Sequence, residues 1–391
     1  LRVGFYTPNY PGLTGEGGIG TYVRAVAHGL AALGHTPVVL AEGDRPPTAD
    51  GPVRIHFTPT RHLPGIDKLL PGAGACWRVN RAARRLVRDE RLDLFEFPNW
   101  EGFGLLFART ARTPTVVRLH TSSAESQVID GRPPSRWDRW NVRRERLLSH
   151  AGTAVVTHSN AHRQTVAAEA GLNPATVRVI PHGVEAFPDF ARSPRLPGPL
   201  RVVYLGRLEH RKGTVELLQA IPHVLREVPD AAFTLIGSDR PHAPGGRTHA
   251  AYLAADFPEA VRRRVTLTGP LPQPEVDRHL QTADLFVAPS RYESFGLIFL
   301  EAMRWGTPVV GTTAGGIPEV VAHGETGWLV PAENPPELAA AIVKLLRDEE
   351  LRAKLGAAGR ASVERNFTVA RMAESVAELY RAVIVSRGGR G

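Results

Sequence analysis

Two carboxylates, Glu293 and Glu301, stand in the stretch PSRYESFGLIFLEAMRWGTPVVGTTAGGIPEVVAHGETGWLVP, which runs from Pro289 to Pro331. The local order reads as a strand (Ala283 to Val287), a short polar loop holding Glu293, an apolar helix (Phe295 to Trp305), a strand (Pro308 to Thr312) and a glycine turn at Gly315 and Gly316. A helix opening at Ser294, Phe295 and Gly296 turns its first N–H groups and the positive end of its dipole toward the strand's carboxyl edge, where an anion is favoured. At 1.5 Å of rise per helical residue the two carboxylates fall roughly 10 Å apart. That is the span between the ribose diol and the sugar hydroxyls of a nucleoside diphosphate sugar, and carboxylates accept hydrogen bonds from such hydroxyls. A plainer reading has Glu293 capping the helix and Glu301 on a solvated face.

A second group lies upstream in VVYLGRLEHRKGTVELLQA, where Arg207 and Lys212 share one loop between a strand and a helix, beside Gly206 and Gly213. Two fixed cations held together in this way stabilise an anion, and most of all one whose charge grows during a reaction. Arginine offers a planar fork to phosphate oxygens and lysine a compact charge. Farther on, Gly237 ends another strand, and the glycine- and proline-rich loop Asp239 to His249 reads as a mobile rim near a base pocket.

In the first half, NYPGLTGEGGIGTYV (Asn9 to Val23) satisfies G-x-G-x-x-G at Gly15, Gly17 and Gly20, with Glu42 or Asp44 farther on. Dinucleotide binding needs the first glycine at the strand end. Here a long loop separates Tyr6 from Gly15, which argues against a nicotinamide cofactor; what remains is a flexible loop leading into a helix at Ile19. Gly17 and Gly18 allow close backbone approach. His120 ends the strand in VVRLHTSS, at the edge where open α/β sheets bind ligands. Asn99, Trp100 and Glu101 end the preceding strand, and an aromatic flanked by polar groups suits a sugar or cyclitol acceptor. The segment SRWDRWNVRRERLLSH (Ser135 to His150) combines Trp137 and Trp140 with Arg136, Arg139, Arg143, Arg144 and Arg146. It reads either as a crossover helix with a basic face or as a weak membrane-surface contact.

These stretches resemble the retaining glycosyltransferases of family 4. The E-x7-E pair with S-F-G-L and E-A-M, then G-x-P-V-V and G-G-I-P-E, matches that family's donor signature without a gap. G-R-L-x-x-x-K-G, G-G-I-G-x-Y and V-I-P-x-G-V recur too, with His182 and Glu185 as departures in the last. The resemblance implies the GT-B fold: an α/β chain of two doubly wound Rossmann-like domains facing a central cleft, its C-terminal helix crossing back to the first. It also implies that Gly17 and Gly18 cover the donor diphosphate, that Arg207 and Lys212 bind it, and that His120 lies beside the transferred sugar. Glu293 would bind sugar hydroxyls and Glu301 the ribose, with Gly237, Ser294, Phe295, Gly296 and Leu297 completing the donor set.

Composition agrees with this outline. The 391 residues are 42% hydrophobic, enough for two cores. No apolar run is long enough to span a bilayer, and from the strand-like opening residues no secretory leader is expected. Cys76 is the sole cysteine, so no internal disulfide or thiolate cluster is expected, and a reducing cytoplasm is the natural setting, with peripheral contact at a membrane's inner face as the variant. The formal charge of +9 comes from arginines spread along the chain, the only lysines being Lys68, Lys212, Lys344 and Lys354. Such a bias fits a GC-rich coding preference and does not require a nucleic-acid partner.

Apolar runs alternate with amphipathic segments, the pattern of parallel sheets with crossover helices. Strands are expected at Val3 to Tyr6, Pro37 to Leu40, Arg54 to Thr58, Leu92 to Phe97, Thr115 to Leu119, Thr153 to Thr157 and Val177 to Ile180. A second series follows at Val202 to Leu205, Phe233 to Ile236, Val265 to Thr268, Leu285 to Ala288 and Pro308 to Gly311. Helices are expected over Ile19 to Leu33, Arg136 to Ser149 and Thr368 to Val385. The proline-rich Phe187 to Pro199 reads as a linker, giving an acceptor domain over 1–190 with a returning helix near 370–391 and a donor domain over 198–368.

The expected activity is transfer of a hexose-type sugar from a nucleoside diphosphate sugar, UDP first among the bases, to a hydroxyl of a small-molecule, cyclitol, antibiotic-type or glycan acceptor. No D-x-D pair occurs. Arg207, Lys212 and the helix start would therefore replace a divalent metal, and no cofactor is expected. A sugar-nucleotide hydrolase, a non-catalytic sensor and a nicotinamide oxidoreductase are the competing classes.

Overall fold

The computed structural model describes residues 1–15, 17–59, 70–130, 133–187 and 197–388. Most of the stretch expected as a linker, 187–199, lies outside them. The chain divides into two compact units, Leu1–Gly183 with Val369–Gly391, and Val184–Thr368.

The first unit is built on β1 (Arg2–Thr7), β2 (Thr36–Glu42), β3 (Thr48–Asp50), β4 (Val53–Thr58), β5 (Leu94–Pro98), β6 (Thr115–Arg118), β7 (Ala154–Thr157) and β8 (Val177–Val179). Their order is β3-β4-β2-β1-β5-β6-β7-β8, with every pairing parallel except β3 with β4. The chain winds outward from β1 through β2, then returns to β5 on the other side of β1. The carboxyl edge at β1 and β5 is therefore the topological switch point, where such sheets bind ligands. The central strands are buried on both faces, as two covering helical layers require, and are largely apolar, with Glu96 in β5 and Thr115 and Arg118 in β6 among the exceptions. β3 was not foreseen: TAD is short and polar and lies exposed on the edge.

The helix Val369–Gly388, twenty residues long and separated from β8 in sequence by the whole second unit, completes its core. Met372, Ala373, Val376, Ala377, Tyr380 and Val383 pack with Val3, Phe5, Val26 and Leu30. A Cβ at Gly29 would lie 2.8 Å from the Ala373 Cβ, so the helix Gly18–Ala32 meets it backbone to side chain. Beneath this contact the buried Glu96 carboxylate accepts hydrogen bonds from Tyr22 Oη (2.9 Å), Arg118 Nε (3.0 Å) and Tyr380 Oη (2.7 Å).

The helix Arg136–Ala151 opens with a reciprocal capping box between Ser135 and Asp138. Its buried face is polar. Arg144 donates through Nε to the Glu101 carbonyl (2.9 Å), and also to the Pro71 carbonyl. Glu145 accepts from the Glu101 N–H (2.8 Å), from the Ser123 N–H (3.0 Å) and from the Ser123 hydroxyl. This helix therefore clamps Trp100–Gly102, where Glu101 sits at φ 55°. Trp137 and Trp140 are half-buried beside Arg144 and Arg143, so the tryptophans pack against the helix's own arginines.

The second unit holds β9 (Arg201–Leu205), β10 (Ala232–Ile236), β11 (Val265–Gly269), β12 (Leu285–Val287), β13 (Val309–Thr312) and β14 (Trp328–Val330) in the order β11-β10-β9-β12-β13-β14, all parallel. Its switch point lies between β9 and β12. β14 was also not foreseen, being three residues long. The apolar helix is shorter than expected at both ends, Leu297–Met303: Gly296 at φ 103° precedes it, and Gly306 at φ 70° follows. Phe295 belongs to the core beneath the loop instead, edge-on to Phe367.

Two outcomes follow for the first unit. Tyr380→Phe removes one donor from a buried carboxylate and should cost about 1–3 kcal/mol in urea denaturation. Burial pushes the Glu145 carboxyl up to about 7, against its Ser123 and Glu101 donors, from an ordinary 4.5. The folded chain then binds a proton that the unfolded chain has lost, so stability falls as pH rises from 4.5 through about 7. The loss should reach on the order of 3 kcal/mol, and Glu145→Gln should flatten that slope in denaturation curves recorded across the window.

Candidate functional site

In the second unit the site begins with two loops leaving adjacent strands. β9 is followed by Gly206 (φ 146°), and the chain passes through a tight turn at His210–Lys212 to Gly213 (φ 66°) and the helix Thr214–Glu227. A Cβ on Gly213 would stand 1.9 Å from the Pro289 carbonyl oxygen in the loop after β12, so only glycine lets the loops touch there. The Arg291 N–H donates to the Arg211 carbonyl (2.8 Å), and the Gly316 N–H donates to the Glu293 carbonyl (2.8 Å). Gly315 (φ 60°) also lies against that carbonyl.

This approach brings Lys212 onto Glu293. Glu293 is 6% exposed; its Oε1 accepts from Lys212 Nζ (2.6 Å) and Ser290 Oγ (2.8 Å), and its Oε2 from Arg211 (3.1 Å). Arg211 continues to Glu209 (3.3 Å), and Glu209 to Arg207 (3.2 Å), whose side chain is 55% exposed. Three cations and two acids thus alternate along one edge, Arg207, Glu209, Arg211, Glu293, Lys212. Burial pushes the Glu293 carboxyl up, but Lys212 and Arg211 more than reverse this and hold it at about 2. Burial also pulls Lys212 below the ordinary lysine range, with Glu293 opposing. Glu293 does not cap the helix, whose first turn receives no side-chain cap.

Glu301 is half-buried on the helix Leu297–Met303 and accepts no hydrogen bond from any described residue. Burial pushes its carboxyl up, opposed by Arg304. Arg304 itself pairs with Asp277 (2.6 Å). Ser294, Phe295 and Gly296 precede the helix, so the N–H groups of its first turn start at Leu297. Gly237 (φ 145°) lies on the Gly206 carbonyl, where a Cβ would come within 2.0 Å, and its N–H is held by the Gly269 carbonyl. The loop expected as a mobile rim is tied down by Asp239, whose Oδ1 meets both the His249 N–H and its Nδ1 (2.9 Å each).

In the first unit the predicted residues gather after β1, β5 and β6. The helix starts at Gly18, one residue earlier than expected. Gly17 lies against the Asn9 amide and Gly20 against the Asn9 carbonyl, whereas a side chain on Gly18 would meet nothing. Asn99 is buried, and its amide is turned onto the main chain of His120, accepting from its N–H (2.7 Å) and donating to its carbonyl (3.1 Å). It positions His120 more directly than it offers itself to an acceptor. Trp100 and Glu101 remain half-buried beside it. Burial, followed by the His182 and Arg118 charges, pulls His120 well below the ordinary histidine range.

Three features escaped the sequence reading. Arg211, in H-R-K beside Lys212, carries no signal among so many arginines. His158 and His182 follow β7 and β8 as His120 follows β6, and their shared edge is visible only once the strand order is known. Among the described residues, no helix is long and apolar enough to cross a membrane.

A model described as "Glycosyltransferase Family 4" matches residues 16–186, and one described as "Glycosyl transferases group 1" matches 199–348. The chain is 31% identical to a GDP-mannose-dependent alpha-(1-6)-phosphatidylinositol monomannoside mannosyltransferase of Mycobacterium tuberculosis, over 80% of this chain and 81% of the relative. It is 30% identical to a D-inositol 3-phosphate glycosyltransferase of Kineococcus radiotolerans, over 96% and 93%. In fold it is similar to sucrose-phosphate synthase from Thermosynechococcus elongatus, with a TM-score of 0.77 and 20% identity over 98% of this chain and 99% of that one. Two parallel α/β units, the paired loops at the second switch point and these likenesses agree: the chain belongs to glycosyltransferase family 4, enzymes of GT-B fold that use nucleotide-sugar donors.

Proposed function

We propose that the chain transfers a hexose-type sugar, with retention, from a nucleoside diphosphate sugar to a hydroxyl of a cyclitol, antibiotic-type small molecule or glycan. The observation that carries this is the buried Lys212–Glu293 pair within the charge ladder at the second unit's switch point. In this reading the donor diphosphate draws Lys212 and the exposed Arg207 to its oxygens, and Arg211 keeps Glu293 charged and in place. Glu293, ionised at any working pH, accepts hydroxyls of the sugar, and Glu301, which no described donor reaches, takes the ribose diol. N–H groups around Gly296 and Leu297 face the sugar or phosphate. The two cations serve where a divalent metal would otherwise neutralise the leaving group.

The acceptor is assigned to the first unit, near Trp100 and Glu101, with His120 held neutral and oriented by Asn99 beside the transferred sugar. Retention rests on the family resemblance: the leaving phosphate oxygen takes the acceptor proton as the new bond forms on the same face. The inositol phosphate relative supports a cyclitol acceptor. UDP is the proposed base, and the mannosyltransferase relative makes GDP its competitor. The exposed Arg136, Arg139, Arg143 and Arg146 would supply any contact with an anionic membrane surface.

Calorimetric titration with UDP, GDP and ADP and their sugars should show one tight nucleotide. Arg207→Ala and Lys212→Ala should each lower donor turnover by about 100-fold or more. Unchanged turnover in both, or free sugar released at the same rate without an alcohol acceptor, would point to another reaction.

A further inference from the structure

Three adjacent parallel strands of the first unit, β6, β7 and β8, are each followed within three residues by a histidine: His120, His158 and His182. Strand order alone carries all three to one edge of the sheet. They are 8%, 2% and 6% exposed, and one ring nitrogen of each lies within 4.8 Å of the others. We propose that these three imidazoles form a binding site for a divalent transition ion of the zinc class.

The donor set selects the ion. Three neutral imidazoles, with no carboxylate or thiolate among them, suit Zn²⁺, Co²⁺, Ni²⁺ or Cu²⁺ and not Mg²⁺ or Ca²⁺. Three protein nitrogens also leave a fourth position open, as in zinc sites that bind a small ligand.

The surroundings hold the rings in place. His182 lies 4.7 Å from His158 and 6.1 Å from His120, centroid to centroid, and Tyr22 flanks His120 and His182 at 5.6 and 5.1 Å. Behind His158 stacks His162 at 4.4 Å, itself anchored to Thr157 (2.6 Å) and Glu125 (3.2 Å). Asn99 fixes the main chain of His120. The nearby Arg118 guanidinium is matched by Glu96, so the site does not face an uncompensated cation. Zinc–nitrogen bonds of about 2.0–2.1 Å place tetrahedral ligands roughly 3.4 Å apart, so loading draws the rings together by side-chain rotation with the strands unmoved.

Loading engages a nitrogen of His120. A bound ion therefore withdraws that side chain from any other task, and the site acts as a metal-sensitive brake on whatever His120 does.

The test uses the full chain freed of metal by a chelator. Calorimetric titration with ZnCl₂ should show one ion per chain, and CoCl₂ should produce the visible absorption of a low-symmetry four-coordinate ion. His158→Ala and His182→Asn should each weaken binding by more than about a hundredfold, while the exposed His223→Ala leaves it unchanged. A thermal melt checks each variant's fold, and His182→Asn, which keeps a polar side chain of similar size, decides the matter if His158→Ala does not fold. Absence of saturable Zn²⁺ binding, or binding retained in His182→Asn, overturns the site. Because the readout is binding and absorption, it stands or falls independently of sugar transfer.

Discussion

A buried lysine–glutamate contact is costly unless geometry and further hydrogen bonds compensate for lost hydration. Lys212 and Glu293 meet at 2.6 Å, and the glutamate is completed by Ser290 and Arg211. Everything around the second switch point serves this contact. β9 and β12 must be neighbours, their loops must touch, and Gly213 and Gly315 must be glycine so that two carbonyls can fill the space a side chain would take. In the proposed reaction a donor phosphate competing for Lys212 would meet a cation already desolvated and a partner that Arg211 can hold in its absence. Preorganisation of this kind lets charge stabilisation operate without reorganising the site during reaction.

The first unit solves a related problem differently. Glu96 lies under the sheet's carboxyl edge with two tyrosines and an arginine as donors, and Arg118 stacks over Tyr22 at 4.2 Å. One fully buried charge pair thus fixes β5, β6 and two helices together. Asn99 and the Arg144–Glu145 pair extend that order to the loop holding Trp100 and Glu101. This edge rests on polar networks, while the apolar cores lie behind it.

Much of this was legible in the sequence. Twelve strands were expected within a residue or two of where they lie, because buried parallel strands announce themselves as apolar runs; TAD and WLV are too short or too polar to do so. The helix after Glu293 was read too long because an apolar run does not separate Phe295, buried in a loop, from the helical residues after it; the positive φ of Gly296 decides that. Lys212 and Glu293 stood out by type and spacing. Arg211 did not, since an arginine in an arginine-rich chain looks like surface charge until its partners are seen. Asn99 looked like a ligand contact because a polar residue at a strand end can reach either outward or back to the main chain. The histidines after β7 and β8 required strand adjacency, which no local pattern reveals.

The Tyr380–Glu96 bond spans 284 residues of chain, and the whole second unit lies between its ends. On a ribosome, the sheet that includes Arg2 therefore waits for the helix Val369–Gly388, made after the whole second unit, before its core is sealed. The middle of the chain can finish folding while the beginning is still open. For this protein the order of synthesis and the order of folding run against each other, and the early strands are the ones exposed longest to misassociation.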